Sequence, residues 1–308
     1  MKHTKTNIFD RIAVRQHRDR AAKTMDDHNF LFCEISERLW DRLGNVRKQF
    51  DLALDLGCHR GELGRMVDRH NNVRKIVYSD LSYSMVSLSP TPSLVADEEV
   101  LPFKDSCFDL ITSALTLHWV NDLPGAISQI ARCLKPDGLF LAAMFGGNTL
   151  AELRRSLFSA EAEISNHVYP RVSQFVNLHD LGDLLLRADL KLPVVDIDRV
   201  KVTYPNALTL MSELRGMGES NAAHARPHHF TKSSVLRGAQ RHYSKDTPTR
   251  DSPITAQFDI IYLAAWKSHK GQPLPLAPGT ASVSLAEALD TSGAIDRGVG
   301  RSVRRGKK

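Results

Sequence analysis

Hydrophobic positions along the chain follow two different periods. Phe32, Ile35, Leu39 and Leu43 recur every three to four residues, so residues 28–43 read as an amphipathic helix. After it, short apolar runs alternate with helical spacings. Residues 51–56, 75–79, 93–96, 108–113 and 139–144 read as strands. Between them, 62–69 and 83–88 read as helices. So does the run carrying Leu123, Ile127, Ile130 and Leu134, closed by the turn Lys135-Pro136-Asp137-Gly138. Strands and helices in strict alternation imply right-handed crossovers and a mostly parallel sheet covered by helices on both faces.

The second half is patterned more sparsely. Residues 149–164, 178–188 and 208–217 have helical spacing, 194–204 alternates like a strand, and 254–266 reads as a last strand. Beyond Lys270, a stretch rich in Pro, Gly, Ser and Ala ends in Arg304-Arg305-Gly306-Lys307-Lys308, with too little apolar content to fold alone. These shifts divide the chain into a basic arm or lid (1–27), a main domain (28–267, core 50–165) and a disordered basic tail (268–308).

Charge changes the picture of possible partners. The formal net charge is +6, but residues 1–24 carry seven Lys/Arg against Asp10 and Asp19, and residues 294–308 carry six against Asp296. Each end therefore contributes +5, which leaves the body, 25–293, at −4. A nucleic-acid-binding fold places its basic patch on the folded surface, so this distribution argues against such a partner. No apolar run reaches the roughly 18 residues a membrane helix needs. Cys33, Cys58, Cys107 and Cys133 stand too far apart for a zinc pattern and fit a reducing compartment. The arginine-rich start has transit-peptide character, but Asn7 onward belongs with the mature chain, and six residues are too few for a cleaved presequence. Cytoplasm is the expected location, or the mitochondrial matrix for a eukaryotic chain.

The candidate chemistry concentrates in Leu52-Ala53-Leu54-Asp55-Leu56-Gly57-Cys58-His59-Arg60-Gly61. A buried strand enters a glycine turn and a helix is expected at once, whose free N–H groups suit an anion. A dinucleotide site would show G-x-G-x-x-G. The spacing Asp-x-Gly-x-x-x-Gly is instead that of S-adenosyl-L-methionine sites, with Asp55 near the methionine amino group. Asp80 closes the next strand, where a carboxylate can accept both ribose hydroxyls, or can cap the helix that follows. Asp97 and Glu98 end the third strand and suit the adenine amino group, or are plain surface acids. Three acids on three successive strand ends lie where a parallel sheet binds its ligand. The expected cofactor site comprises Asp55, Gly57, Cys58, Gly61, Asp80, Leu81, Asp97, Glu98 and Ser113.

Asp55-Leu56-Gly57-Cys58, Leu101-Pro102-Phe103, Phe108-Asp109-Leu110 and Leu117-His118-Trp119-Val120-Asn121-Asp122-Leu123 resemble the type 11 methyltransferases, which include the malonyl-acyl-carrier-protein O-methyltransferases of biotin synthesis. A closer resemblance is to the mitochondrial complex I assembly factors described as arginine hydroxylases. It rests on Asn7-Ile8-Phe9-Asp10-Arg11, Leu94-Val95-Ala96-Asp97-Glu98-Glu99, Met144-Phe145-Gly146-Gly147, residues 180–185, Gly216-Met217-Gly218-Glu219-Ser220-Asn221 and residues 261–267. It implies a Rossmann-like class I methyltransferase fold with a seven-stranded sheet. It further implies S-adenosylmethionine as cofactor and a respiratory complex I subunit as protein substrate. A small acid or acyl-carrier protein, or a non-catalytic chaperone role, are the alternatives. One residue departs from the family: His59 stands where relatives have glycine, so its β-carbon either crowds the cofactor or faces solvent.

Catalytic candidates are fewer. His118 and Trp119 follow the fourth strand, although Trp119 also suits a core cap. Glu219 offers an acid to a substrate arginine, whereas its glycine-rich surroundings also suit a simple helix end. His17-Arg18-Asp19 has the H-x-D spacing of an iron site but lies on the basic arm. His224, His228 and His229 read as a polar loop. No metal is expected.

Overall fold

The computed structural model describes residues 7–69, 72–164, 168–175, 179–243 and 252–272. The sheet carries seven strands: β1 (Ala53–Leu56), β2 (Ile76–Asp80), β3 (Ser93–Val95), β4 (Phe108–Ala114), β5 (Leu134–Phe145), β6 (Leu190–Tyr204) and β7 (Ile254–Lys267). Their order is β3-β2-β1-β4-β5-β7-β6; β1 to β5 pair in parallel, and β7 runs antiparallel to both β5 and β6. The chain leaves β1 for β2 on one side and reaches β4 on the other, so a crevice opens outside the carboxyl ends of β1 and β4.

Helices cover both faces, as the alternation predicts. On one face α2 (Phe30–Gly44) buries Phe32, Ile35, Leu39 and Leu43 against Leu139, Leu141 and Phe145. On the other, α4 (Leu123–Cys133) and α6 (His179–Arg187) bury Ile127, Ile130, Leu181 and Leu185 against Leu54, Leu56, Phe140 and Ile261. Each fully buried Leu or Ile contributes about 1.5–3 kcal/mol, so these two layers fix the strand ends that carry the site. Among the described residues no helix is long and apolar enough to cross a membrane.

Four local readings change. The expected helix over 62–69 is only a 3₁₀ turn, Gly64–Arg69, so no regular helix aims its N–H groups at the loop after β1. Lys135–Gly138 does not precede a strand; β5 starts at Leu134, and the ladder with β4 shifts between Phe108 and Leu110. The segment Ser233–Tyr243, read as no element, is α8, which meets α5 (Ala151–Ile164) through Gly238. A β-carbon there would stand 2.8 Å from that of Ala160, and such small-residue contact leaves a weak periodic signal. Finally, the basic arm is partly a helix, α1 (Arg11–Ala21), capped by Asp10, whose side chain accepts from the Ala13 N–H at 3.1 Å. Its inner stripe is Ala13, Val14, Arg18 and Ala21, which no apolar pattern marks clearly. Of the tail expected over 268–308, only 268–272 lie among the described residues.

Candidate functional site

Asp55 ends β1 at the mouth of the crevice and is 1% exposed. Neither carboxylate oxygen has a hydrogen-bond partner. Burial, reinforced by the charges of Glu62 and Asp80, pushes its pKa up to about 8. The next residues turn sharply: Gly57 has φ +68° and Gly61 φ +84°, which only glycine adopts freely. A β-carbon on Gly57 would lie 2.1 Å from Thr116 Cγ2. The protein's own packing, rather than a ligand pressed on the loop, thus already demands that glycine. Cys58 is buried, which pushes its thiol well above the usual range and keeps it unreactive.

His59 neither faces solvent nor leaves the loop open. It has φ +51°, in the left-handed region, and is 2% exposed. Its ring centroid is 4.4 Å from that of Phe32, and Nε2 lies 3.2 Å from Thr116 Oγ1. The imidazole therefore fills space between the loop and α2.

Asp80, at the end of β2, accepts from the backbone N–H groups of His59 at 3.1 Å and Ser82 at 2.8 Å. The helix that follows, α3 (Tyr83–Val86), is capped instead by Ser82, whose hydroxyl accepts from Met85 at 3.1 Å. Asp80 is thus free of the capping role. Glu98, past β3, is fully buried and not a surface acid, whereas Asp97 is partly exposed. Leu81 packs against Phe9, Ala13 and Trp119.

Two arginines of α1 reach these acids. Arg18 Nη1 donates to both Asp80 oxygens, at 3.2 and 3.3 Å, and to Glu98 Oε1 at 2.8 Å. Arg11 donates to Asp97 at 2.7 Å and also to Glu98. Burial alone would raise the Glu98 pKa, but Arg18 and Arg11 outweigh it and hold the carboxyl at about 2. The sequence reading does not single out Arg11 and Arg18; the one signal is their spacing, since seven residues, two helical turns, place them on one helix face.

Within β4, Ser113 is buried with its hydroxyl unpartnered. His118 and Trp119 follow in a 3₁₀ turn, and both meet Glu219. His118 Nε2 lies 3.0 Å and Trp119 Nε1 2.9 Å from the same oxygen, Glu219 Oε2. Helix α7 (Ala207–Gly216) ends with Gly218 at φ +80°, and the Glu219 N–H donates to the Leu214 carbonyl at 2.8 Å. The glycine cap is real, and it is what turns Glu219 inward. Burial lowers the His118 pKa, so near neutral pH the ring is uncharged. A carboxylate can only accept, so the ring proton sits on Nε2. Nδ1 is then a bare acceptor, and it has no partner. His118 borders a cavity of about 380 Å³ walled by Leu117, Val120, Leu123 and Leu184, with Asp180 also on its lining.

The H-x-D pair diverges: His17 Nδ1 meets the Ser220 carbonyl at 3.1 Å, while Asp19 accepts from the Ser82 hydroxyl at 2.5 Å. The expected cofactor residues, in contrast, converge on one crevice. Unpartnered acceptor oxygens at Asp55 and strand-end acids at Asp80 and Glu98 suit an ammonium, a ribose and an adenine amine, so the residue types fit S-adenosylmethionine. The space is filled by the protein. Between Phe32, Asp55, Gly57, His59 and Ala114 the remaining cavity is too small for a water molecule, and Arg18 lies on the acids meant for the nucleoside.

A family model described as a methyltransferase domain matches residues 54–142. The chain is 41% identical over 288 residues to the Homo sapiens protein named "Arginine-hydroxylase NDUFAF5, mitochondrial", covering 91% of this chain and 83% of that one. It is 32% identical to a malonyl-[acyl-carrier protein] O-methyltransferase of Methylovorus sp. (strain MP688), covering 87% and 93%. Two solved structures share the fold. One is the YcgJ protein of Bacillus subtilis, with TM-score 0.54, 17% identity, and 76% and 98% covered. The other is phosphoethanolamine N-methyltransferase 2 of Haemonchus contortus in complex with S-adenosyl-L-methionine, with TM-score 0.50, 17% identity, and 83% and 60% covered.

Proposed function

Because the chain belongs to the NDUFAF5 arginine-hydroxylase family, which is built on a methyltransferase domain, we propose that it modifies an arginine of a respiratory complex I subunit during assembly. S-adenosylmethionine is its cofactor and supplies, when bound, an activated methyl group. The observation that carries the reading is the extent of the likeness. It spans 91% of the chain, whereas the matched domain ends at residue 142. The elements shared beyond the cofactor crevice therefore include the α7 end that places Glu219. Identity to the carrier-protein methyltransferase is lower, at 32%.

The chain's own groups support the assignment. Asp55, Asp80 and Glu98 bind and orient the cofactor at the strand ends. Asp97 joins them through the adenine edge, with Gly57, Cys58, Gly61, Leu81 and Ser113 shaping the walls. Glu219 holds His118 in one tautomer, so that Nδ1 can take a proton from a substrate nitrogen. The apolar walls of the adjoining cavity suit an arginine's methylene stem, and Asp180 suits its charge. Mass spectrometry of complex I subunits from cells with and without this chain tests the proposal. The expected result is one arginine-containing peptide altered only when the chain is present. A gain of one oxygen marks hydroxylation and a gain of one methylene marks methylation. Identical peptide masses in both cells would exclude the proposal.

A further inference from the structure

The arginines of α1 occupy the acids that the cofactor requires. Arg18 is 1% exposed and lies within 3.3 Å of both Asp80 oxygens and within 2.8 Å of Glu98. A guanidinium and a ribose cannot share that space. Around Arg18 the closed arrangement is also imperfect, because its Nε and Nη2 are buried without hydrogen-bond partners. Each such donor carries a desolvation cost, so the pairing compensates the buried acids without being optimal. The start of α1 is anchored away from these acids. The Phe9 N–H donates to Asn121 at 2.7 Å, the Asp10 N–H to the Ala222 carbonyl at 2.8 Å, and Asp10 pairs with Arg226 at 2.8 Å. The Arg18 turn is held on the crevice by Asp80, Glu98 and the Asp19–Ser82 bond, and beside it by the His17–Ser220 contact and the buried Ala21 and Ala22.

We infer that α1 is a displaceable strap: Arg18 competes with S-adenosylmethionine for Asp80 and Glu98, and cofactor entry releases the Arg18 turn of the helix. The inference rests on the cofactor assignment above. In the closed state Arg18 neutralises the buried Asp80 and shares the neutralisation of Glu98 with Arg11. In the open state the cofactor's hydroxyls and amine satisfy them instead. Only the open fraction binds, so the apparent affinity is reduced by the share of closed molecules. A lid that simply folds over bound cofactor behaves in the opposite sense, because the ligand would then tighten α1.

Two measurements on the full-length chain separate these cases. In the first, S-adenosylmethionine is titrated calorimetrically into wild-type protein and into R18M, which keeps the packing stem and removes the charge. If the closed state is favoured about ten to one, R18M binds about ten-fold more tightly. Equal or weaker binding by a folded R18M overturns the strap while leaving the cofactor assignment intact. Binding by neither protein overturns both. The second measurement needs no variant. Hydrogen exchange of the Arg18–Ala21 amides in wild-type protein should accelerate when cofactor is added. Unchanged or slowed exchange on binding overturns the inference.

Discussion

The guanidinium of Arg18 and the carboxylate of Asp80 form a buried ion pair across the cofactor crevice, 3.2 Å apart, between the N-terminal helix and the end of β2. Neither side chain is more than 2% exposed, so the pair is shielded from solvent and salt. Asp80 is also the residue proposed above to take the ribose, so on that proposal it serves both the closed conformation and the bound one.

Replacing Asp80 by Asn should weaken S-adenosylmethionine binding by about 2 kcal/mol, because two charge-assisted hydrogen bonds to ribose become neutral or are lost. The amide oxygen can still accept from the Ser82 N–H, but the His59 N–H loses its acceptor, so loosening of the loop adds to the loss. Calorimetry on the folded variant checks this. An unchanged affinity would remove Asp80 from the site.

His59→Gly should tighten cofactor binding by about 1 kcal/mol, roughly five-fold. The substitution removes an imidazole wedged between Phe32 and Thr116 and relieves a left-handed backbone that costs a non-glycine residue about 1–2 kcal/mol. A clear loss of affinity would mean that the ring itself contacts the cofactor.

Asp55 makes stability depend on pH in an unusual direction. Its pKa is raised from 3.8 to about 8, so across that window the folded protein keeps a proton that the unfolded chain has released. Stability without cofactor should therefore fall as pH rises from about 4 to 8. Asp55→Asn removes this slope. It should melt higher than wild type at pH 8 by at least ~3 °C while binding cofactor more weakly. Thermal melts at pH 5 and pH 8 decide it, and parallel slopes for the two proteins would show that Asp55 is ionised in the fold.

Glu219→Gln should leave cofactor affinity within about two-fold but reduce arginine modification on the order of a hundred-fold. The amide oxygen can accept from both His118 and Trp119 but carries no charge, and a flipped amide would donate to the ring instead, so the tautomer of His118 is no longer enforced. Cofactor titration and quantification of the modified peptide separate the two effects. Wild-type modification would take Glu219 out of the chemistry.

Much of this site was legible in the chain. Asp55 and Asp80 end strands, and Glu98 follows one, whose apolar runs are short and well bounded, so the sequence alone puts the acids on one sheet edge. The glycines of the loop were legible as a turn but misleading as to cause, since the clash at Gly57 is with Thr116, 59 residues away. Arg18 was hidden for a physical reason. A buried arginine in a stripe of Ala13, Val14 and Ala21 breaks the amphipathic pattern that marks a helix, and its partners come from β2 and the segment after β3. Glu219 was legible as a residue of interest but not in its orientation, because a helix cap at Gly218 decides which way it points.

On the proposed function, the acid-lined crevice drives modification of a complex I arginine. The most direct test is complementation of cells lacking this chain with either the wild-type protein or Asp80→Asn, expressed at matched levels. The readout is the occupancy of the altered arginine peptide in assembled complex I. The wild-type chain is expected to restore the altered peptide, and Asp80→Asn to leave it largely unmodified. Full restoration by Asp80→Asn would contradict the claim.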